Sequence, residues 1–269
     1  MKRTDAQIYM LCHKQVEYGL LNNELYTPLE VGAECRKQPV AEVRDNTGDN
    51  ISEYKSVMAE MTGVYWIWKN LDTPIIGQCQ YRRRLILPED FDFKKCLGEC
   101  KGECQGEPGE NFKAITCKPV FFNCSVADQF AACHSKQYLQ VVEAIVKSAY
   151  PDFKDSWDKY ILKSNKLYYS NSFILKKEDY NEYCSFYFDI MNKFFNYYDL
   201  RTIEDVEDFV LTNIRKGLQH DALGMSRGYF YSMQLGGFIA ERLWTLWVRH
   251  KFEGNIFEVP YTLMENTGI

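Results

Sequence analysis

Pro74-Ile75-Ile76-Gly77-Gln78-Cys79-Gln80-Tyr81-Arg82-Arg83-Arg84 is a short apolar run that gives way to an amide, a tyrosine and three guanidinium groups. The apolar part, 75–79, has the length of a strand rather than a helix and reads as a central strand. Upstream, 53–70 has a helical period: Val57, Met61, Val64, Tyr65 and Trp68 recur at spacings of three and four. Further upstream, Ala6-Gln7-Ile8-Tyr9-Met10-Leu11-Cys12 reads as a first buried strand that ends at His13-Lys14. Strand, loop, helix, strand is an α/β pattern.

Between these elements lies a polar stretch with Pro28 and Pro39 that reads as loop. Asp45-Asn46-Thr47-Gly48-Asp49-Asn50 is a turn cluster of residues that bond their own backbone, and Ser52 is placed to cap the helix that follows. Downstream, 97–111 is rich in Gly, Glu and Cys and reads as a surface insertion; 114–120 reads as a strand. Helical segments are expected over 126–132 and 136–149, separated near His134, and over 151–163. The alternation of 166–175 predicts one strand, 177–196 and 236–250 predict helices, and 256–260 a last strand.

The chain has 269 residues, 46% hydrophobic and 15% aromatic, enough to bury a large core. Its net charge of -5 argues against a general nucleic-acid binder. No apolar stretch reaches the ~20 residues of a membrane span. The charged start, Met1-Lys2-Arg3-Thr4-Asp5, gives no signal peptide, so the chain is expected in the cytoplasm with reduced thiols. Of the ten cysteines, Cys12, Cys79, Cys124 and Cys184 sit among apolar residues and read as small buried hydrophobes. Cys96, Cys100 and Cys104 are spaced too widely for the usual zinc pair and lack a fourth ligand.

Four segments carry candidate chemistry. Ligands of open α/β sheets bind at the carboxyl ends of strands, where Tyr81, Arg82 and Arg83 emerge; arginine forks match the oxygens of a diphosphate. His13 and Lys14 end the first strand at the same edge, with a solvated strand end as the alternative. Asp45, Asn46, Thr47, Gly48, Asp49 and Asn50 offer carboxylates, amides and backbone N–H groups to a sugar or nucleotide, with a plain capped loop as the alternative. Glu241 near the start of the buried helix 236–250 is a candidate general base, with an internal Glu241–Arg242 ion pair as the alternative. No phosphate loop, dinucleotide fingerprint or ordered Ser/His/Asp set is present.

Taken in order, several segments resemble one bacterial family. They are Ile8-Tyr9-Met10-Leu11-Cys12-His13-Lys14, Tyr26-Thr27-Pro28-Leu29-Glu30-Val31-Gly32-Ala33, Asp45-Asn46-Thr47-Gly48-Asp49-Asn50-Ile51-Ser52 and Tyr65-Trp66-Ile67-Trp68-Lys69-Asn70. Gln80-Tyr81-Arg82-Arg83, Tyr169-Ser170-Asn171-Ser172-Phe173-Ile174 and Gly237-Phe238-Ile239-Ala240-Glu241-Arg242-Leu243 follow. The family is a domain of unknown function encoded in capsule and O-antigen clusters and assigned to glycosyltransferases. The resemblance implies a GT-A-like α/β fold: a Rossmann-type nucleotide-binding sheet flanked by helices, with a helix-rich C-terminal half. It implies a single domain, 1–269, with a nucleotide-sugar half, 1–125, and an acceptor half, 126–269.

It also implies transfer of a galactofuranosyl or galactosyl group from a UDP-sugar donor to a saccharide or lipid-linked oligosaccharide, with peripheral contact at the inner face of the membrane where the acceptor is held on a lipid. The expected mechanism is a one-step inversion, with Glu241 as base and Asp49 second. His13, Lys14, Asp45, Asn46, Thr47, Gly48, Asn50, Tyr81, Arg82 and Arg83 are expected on the donor, Asn171 and Arg242 on the acceptor. The fold usually carries Asp-x-Asp on a divalent metal where this chain has Gln80-Tyr81-Arg82-Arg83; Asp90-Phe91-Asp92 lies downstream. Arginines are therefore expected to replace the metal, so no cofactor is expected, with Mn2+ or Mg2+ as the alternative. The family usually has His where this chain has Gln80, which argues against proton transfer there. Two rival classes are a non-catalytic nucleotide-sugar-binding protein with a degenerate transferase fold and a phosphoryl-transfer enzyme.

Overall fold

The computed structural model describes residues 6–15, 25–88, 91–97, 112–218 and 234–263. In chain order the strands are β1 (Ala6–Cys12), β2 (Tyr26–Glu30), β3 (Val43–Arg44), β4 (Ile75–Gln80), β5 (Arg83–Leu85), β6 (Ala114–Cys117), β7 (Val120–Phe121), β8 (Lys166–Leu167), β9 (Phe173–Lys176), β10 (Ile256–Val259) and β11 (Tyr261–Leu263). The main sheet has the order β10-β6-β9-β4-β1-β2-β3, with β5 and β11 as a ribbon on β4. β1, β2, β3 and β4 are mutually parallel, β10 is parallel to β6, and β9 runs against both β4 and β6. The sheet thus draws strands from both halves of the chain.

The helices are α1 (Lys55–Met58), α2 (Met61–Asn70), α3 (Phe93–Cys96), α4 (Val126–Cys133), α5 (Lys136–Ala149), α6 (Lys154–Trp157), α7 (Lys177–Tyr197), α8 (Ile203–Leu218) and α9 (Leu235–Phe252). Period-two alternation in β1 sorts its side chains. Tyr9 and Leu11 join Ile76, Phe173 and Leu175 in the core under α2, α7 and α9; Ile8, Met10 and Cys12 face the opposite core with Ile75, Cys79 and Leu85. Trp244 and Trp247 of α9 are fully buried, and Trp244 stacks on Phe173 at 3.9 Å between ring centroids. That packing anchors α9 across the sheet. No helix among the described residues is long and apolar enough to cross a membrane.

Several expectations are corrected. Residues 26–30 form a strand despite Pro28. Leu25 and Val31 make their hydrogen bonds to β1, so Pro28 lies on the alternate side, where β3 pairs only from Leu29 onward. A missing N–H costs nothing there. The helix 53–70 is broken: after a 3-10 turn (Ser52–Tyr54) and α1, Ala59 takes φ 54°, and α2 starts two residues later. Ser52 does not cap it; its hydroxyl donates to Asp45 Oδ1 at 2.6 Å and accepts from the Glu34 N–H at 3.0 Å. The strand expected over 166–175 is two strands, β8 and β9, separated by a turn in which Ser170 and Asn171 have φ 70° and 48°. Helix α8 was not expected from the pattern at all, nor was β11. Cys124 is exposed, in the bend before α4, whereas Cys12, Cys79 and Cys184 are buried. Of the insertion 97–111, only Leu97 lies within the described residues, as does Cys96 of the cysteine triplet, buried in α3.

Candidate active site

Three pieces meet at the carboxyl edge of the parallel strands. The first is made by β1 and β4. Parallel pairing brings the two strand ends together, and the Tyr81 N–H donates to Leu11 O at 3.1 Å. The His13 and Tyr81 rings then meet edge to face at 5.1 Å. Tyr81-Arg82 is the two-residue turn of a hairpin, because Gln80 pairs with Arg83 as the chain reverses into β5. The three arginines consequently do not form one patch. Arg82 is exposed beside the Tyr81 ring, Arg83 turns inward, and Arg84 lies over Tyr26. Burial, then the positive charges of Lys55, Arg36, Arg82 and Lys14, push His13 down to about 4. Four cations therefore surround one imidazole in a chain of net charge -5. Gly32, at φ 67°, makes this possible: a Cβ there would lie 2.3 Å from Lys55 Cγ. Buried Glu30 holds Arg36 at 3.5 Å and Arg44 at 3.0 Å.

The second piece is Glu60, at the break between α1 and α2. Its Oε1 accepts from Gln80 Nε2 at 3.0 Å and from Asn171 Nδ2 at 2.9 Å. Gln80 is held in turn, since its Oε1 accepts from Arg83 Nη1 at 2.5 Å. Arg83 also lies over the Tyr169 ring at 4.9 Å. The third piece is the turn 170–171 against the start of α9. The Ser170 N–H donates to Glu241 Oε1 at 2.8 Å, and Arg242 Nη1 donates to Glu241 Oε2 at 2.9 Å. Burial pushes the Glu241 carboxyl up to about 7, against the pull of Arg242 and the Ser170 N–H; Glu60 raises it further and Arg83 lowers it. Asn171 Nδ2 also reaches Gly237 O at 3.1 Å, and its own carbonyl accepts from Gln78 Nε2 of β4 at 3.0 Å.

The expected site residues divide accordingly. His13, Lys14, Tyr81 and Arg82 gather at one end of the sheet, and Arg83, Asn171 and Glu241 gather around Glu60. Glu241 and Arg242 form the internal ion pair that stood as the alternative to a base. At 4% and 1% exposed they present no open face, and Arg242 is also tied to Gln129 and to Phe238 O. The Asp45 loop folds on itself. Asp45 is fully buried, accepting from the Gly32 and Ala33 N–H groups at 2.8 and 3.0 Å and from Ser52. Asn46 bonds Glu34, Thr47 accepts from the Trp66 indole, and Gly48 closes against Asn70. Asn50 bonds Gly48 O and the Ser52 N–H. Asp49 bonds Tyr65, midway along α2, through its carboxylate and Asn70, at the far end of α2 and roughly 15 Å along the helix axis from Glu60, through its N–H.

Glu60, Lys55 and Arg36 had no place in the sequence reading. For Glu60 a signal existed: it falls at helical spacing between Val57 and Val64, an acid on an apolar face. For Arg36 and Lys55 none did, since only folding brings them to His13. The residues at this edge do not fit a divalent metal. The strand β4 delivers an amide and guanidinium groups, Asp92 caps α3 through the Lys95 N–H, and no group of three or more His, Cys, Asp or Glu among the described residues could hold a metal ion. Asp90 lies outside the described residues.

The fold resembles the apo structure of WbbM, a bifunctional glycosyltransferase, with a TM-score of 0.70 at 18% identity. The likeness covers 97% of this chain and 46% of that one, so this chain spans less than half of the longer protein. It establishes the GT-A-like α/β architecture. No curated protein matches the chain. The family model described as a domain of unknown function, DUF4422, matches residues 7–218, and the chain belongs to that family.

Proposed function

We propose that this chain is a glycosyltransferase that moves a galactofuranosyl or galactosyl group from a UDP-sugar to a saccharide hydroxyl, the acceptor being a lipid-linked repeat unit of a surface polysaccharide. The observation that carries the reading is the convergence of Lys55, Arg36, Arg82 and Lys14 on His13, with the carboxylate of Glu60 bonded to Gln80 at the end of β4 and that of Glu241 close to Glu60. A cationic edge next to carboxylates suits a reaction in which a diphosphate leaves and a hydroxyl loses its proton. The GT-A-like fold supports a nucleotide-sugar donor, since ligands of such sheets bind at this edge. The choice of galactose rests on the family resemblance alone.

In this reading the cations neutralise the leaving diphosphate where other sheets of this kind use a metal. Isothermal titration with UDP, UDP-galactose and UDP-galactofuranose tests the donor, and product analysis with a saccharide acceptor tests the transfer. UDP and one UDP-sugar should bind, and the sugar should reach the acceptor or water. Binding without any turnover would leave a nucleotide-sugar-binding protein instead. Exhaustive chelation should leave full activity; a loss restored by manganese would overturn the metal-free part.

A further inference from the structure

We infer that Glu60, rather than Glu241, is the carboxylate that takes the acceptor's proton; the inference rests on the transfer reading above. Three features of the fold serve to present this one side chain. The helix that would run through 53–70 breaks immediately before it, with Ala59 in a backbone conformation that L-residues rarely adopt. Strain of that kind persists only where the surrounding structure enforces it, and it concentrates at functional positions. Gly236 and Gly237 then let α9 come against the break. A Cβ on Gly236 would lie 3.0 Å from Met58 Cα, and one on Gly237 would lie 3.0 Å from Ala59 Cβ and 3.3 Å from Glu60 Oε2. Finally, two neutral amides, Gln80 and Asn171, both bond the same oxygen, Oε1.

That last asymmetry decides between the two carboxylates. Glu60 is half-buried, one oxygen is fixed, and among the described residues no hydrogen-bond donor takes Oε2. Glu241 is buried, with one oxygen on the Ser170 N–H and the other on Arg242. A base needs an oriented oxygen within reach of the substrate proton. Glu60 keeps an oxygen that no donor among the described residues occupies, held in orientation by the bonds to its other oxygen, and Glu241 does not. Glu241 is a positioning residue: through the Ser170 N–H it holds the turn whose next residue, Asn171, orients Glu60.

In the step, Glu60 Oε2 takes the proton of the acceptor hydroxyl as that oxygen forms its bond to the anomeric carbon. The bond from the anomeric carbon to the donor's phosphate oxygen breaks, and its electron pair leaves with the nucleoside diphosphate. The charge that develops there faces the cations around His13.

The test compares the wild-type chain with Glu60→Gln, Glu60→Asp and Glu60→Ala, measuring UDP binding by calorimetry and transfer by product formation. Glu60→Gln should lose about 10²–10⁴-fold in kcat with UDP affinity unchanged. Glu60→Asp should recover part of the loss, and added formate should restore turnover to Glu60→Ala, which a purely structural role would not allow. Near-normal kcat in Glu60→Gln overturns the assignment, as does a Glu60→Ala variant that binds UDP yet gains nothing from formate. A wild-type chain that binds UDP and transfers no sugar overturns the transfer reading, and the assignment with it.

Discussion

His13 illustrates how much of this site is set by charges that lie far apart in sequence. Burial and four neighbouring cations hold its imidazole at about 4, below the ordinary 6.5, so it is neutral at pH 7. Because the folded value is depressed, His13 contributes stability above pH 6.5 that is lost as the pH falls toward 4. A bound diphosphate offsets the cations and should raise the imidazole again. UDP binding at about pH 5.5 should therefore take up protons through His13. Calorimetry in two buffers of different ionisation enthalpy measures the uptake, and His13→Gln subtracts the part due to the nucleotide itself. Identical uptake in wild type and variant would remove His13 from the donor site. The Glu241–Arg242 pair gives a second expectation. Burial raises the one and lowers the other, so each charge depends on its partner. Arg242→Met should cost about 3–5 kcal/mol in urea unfolding, and adding Glu241→Gln should recover most of it. An unchanged midpoint in Arg242→Met would show that the charge is not confined as the geometry implies. The sequence offered this ion pair as an alternative to catalysis but could not choose, because burial of both groups depends on Gln129, Phe130 and Ser170, from elements distant in the chain.

Among elements, most of the uninterrupted ones could be read from sequence and the interrupted ones could not. β1 and β4 are continuous buried runs, α5 and α7 carry an unbroken helical period and α9 is apolar nearly all round, and their expected bounds fall within a few residues of the observed ones. α8 was missed although Ile203, Val206, Val210 and Ile214 recur at spacings of three and four; among its described side chains, Val206 and Val210 are buried with Val57. The breaks at Ala59 and at Ser170-Asn171 were missed for another reason. Both replace local regularity with contacts to α9, and neither Ala nor Ser announces a positive φ. These breaks are what deliver Glu60, Asn171 and the Ser170 N–H, so the least legible elements hold the core of the candidate site. Gly236→Ala tests the link between break and helix. In a free helix the change would stabilise by about 1 kcal/mol. Here the new Cβ meets Met58 Cα at 3.0 Å, tighter than ordinary packing, and overpacking costs about 1–3 kcal/mol. The variant should melt lower and transfer more slowly than wild type. A higher melting temperature would mean that α9 does not press on the α1–α2 break.

Across the whole molecule, charge is distributed against the average. The chain carries 37 acidic and 32 Lys and Arg residues, yet the carboxyl edge of β1 and β4 is cationic. The net charge read from sequence concealed this edge, since Arg36, Lys55 and Arg82 converge only once β1, β2 and β4 are side by side. An edge of this kind should draw an anionic donor out of a weakly repelling background, and such attraction is screened over about 10 Å at 0.1 M salt. UDP affinity should therefore fall steadily as ionic strength rises, and uridine, which has no phosphate, should show no such dependence. Arg82→Gln should weaken UDP about tenfold and flatten the salt dependence, since a hydrogen bond to a charged group contributes about 1.5–3 kcal/mol. Arg84→Gln should leave UDP binding unchanged, because Arg84 lies over Tyr26 on the other side of the hairpin. Titrations of all three chains across a salt series decide the matter. Equal losses from Arg82 and Arg84 would mean that the arginines act as one diffuse patch, and a salt-independent affinity would mean that the diphosphate does not sit on this edge.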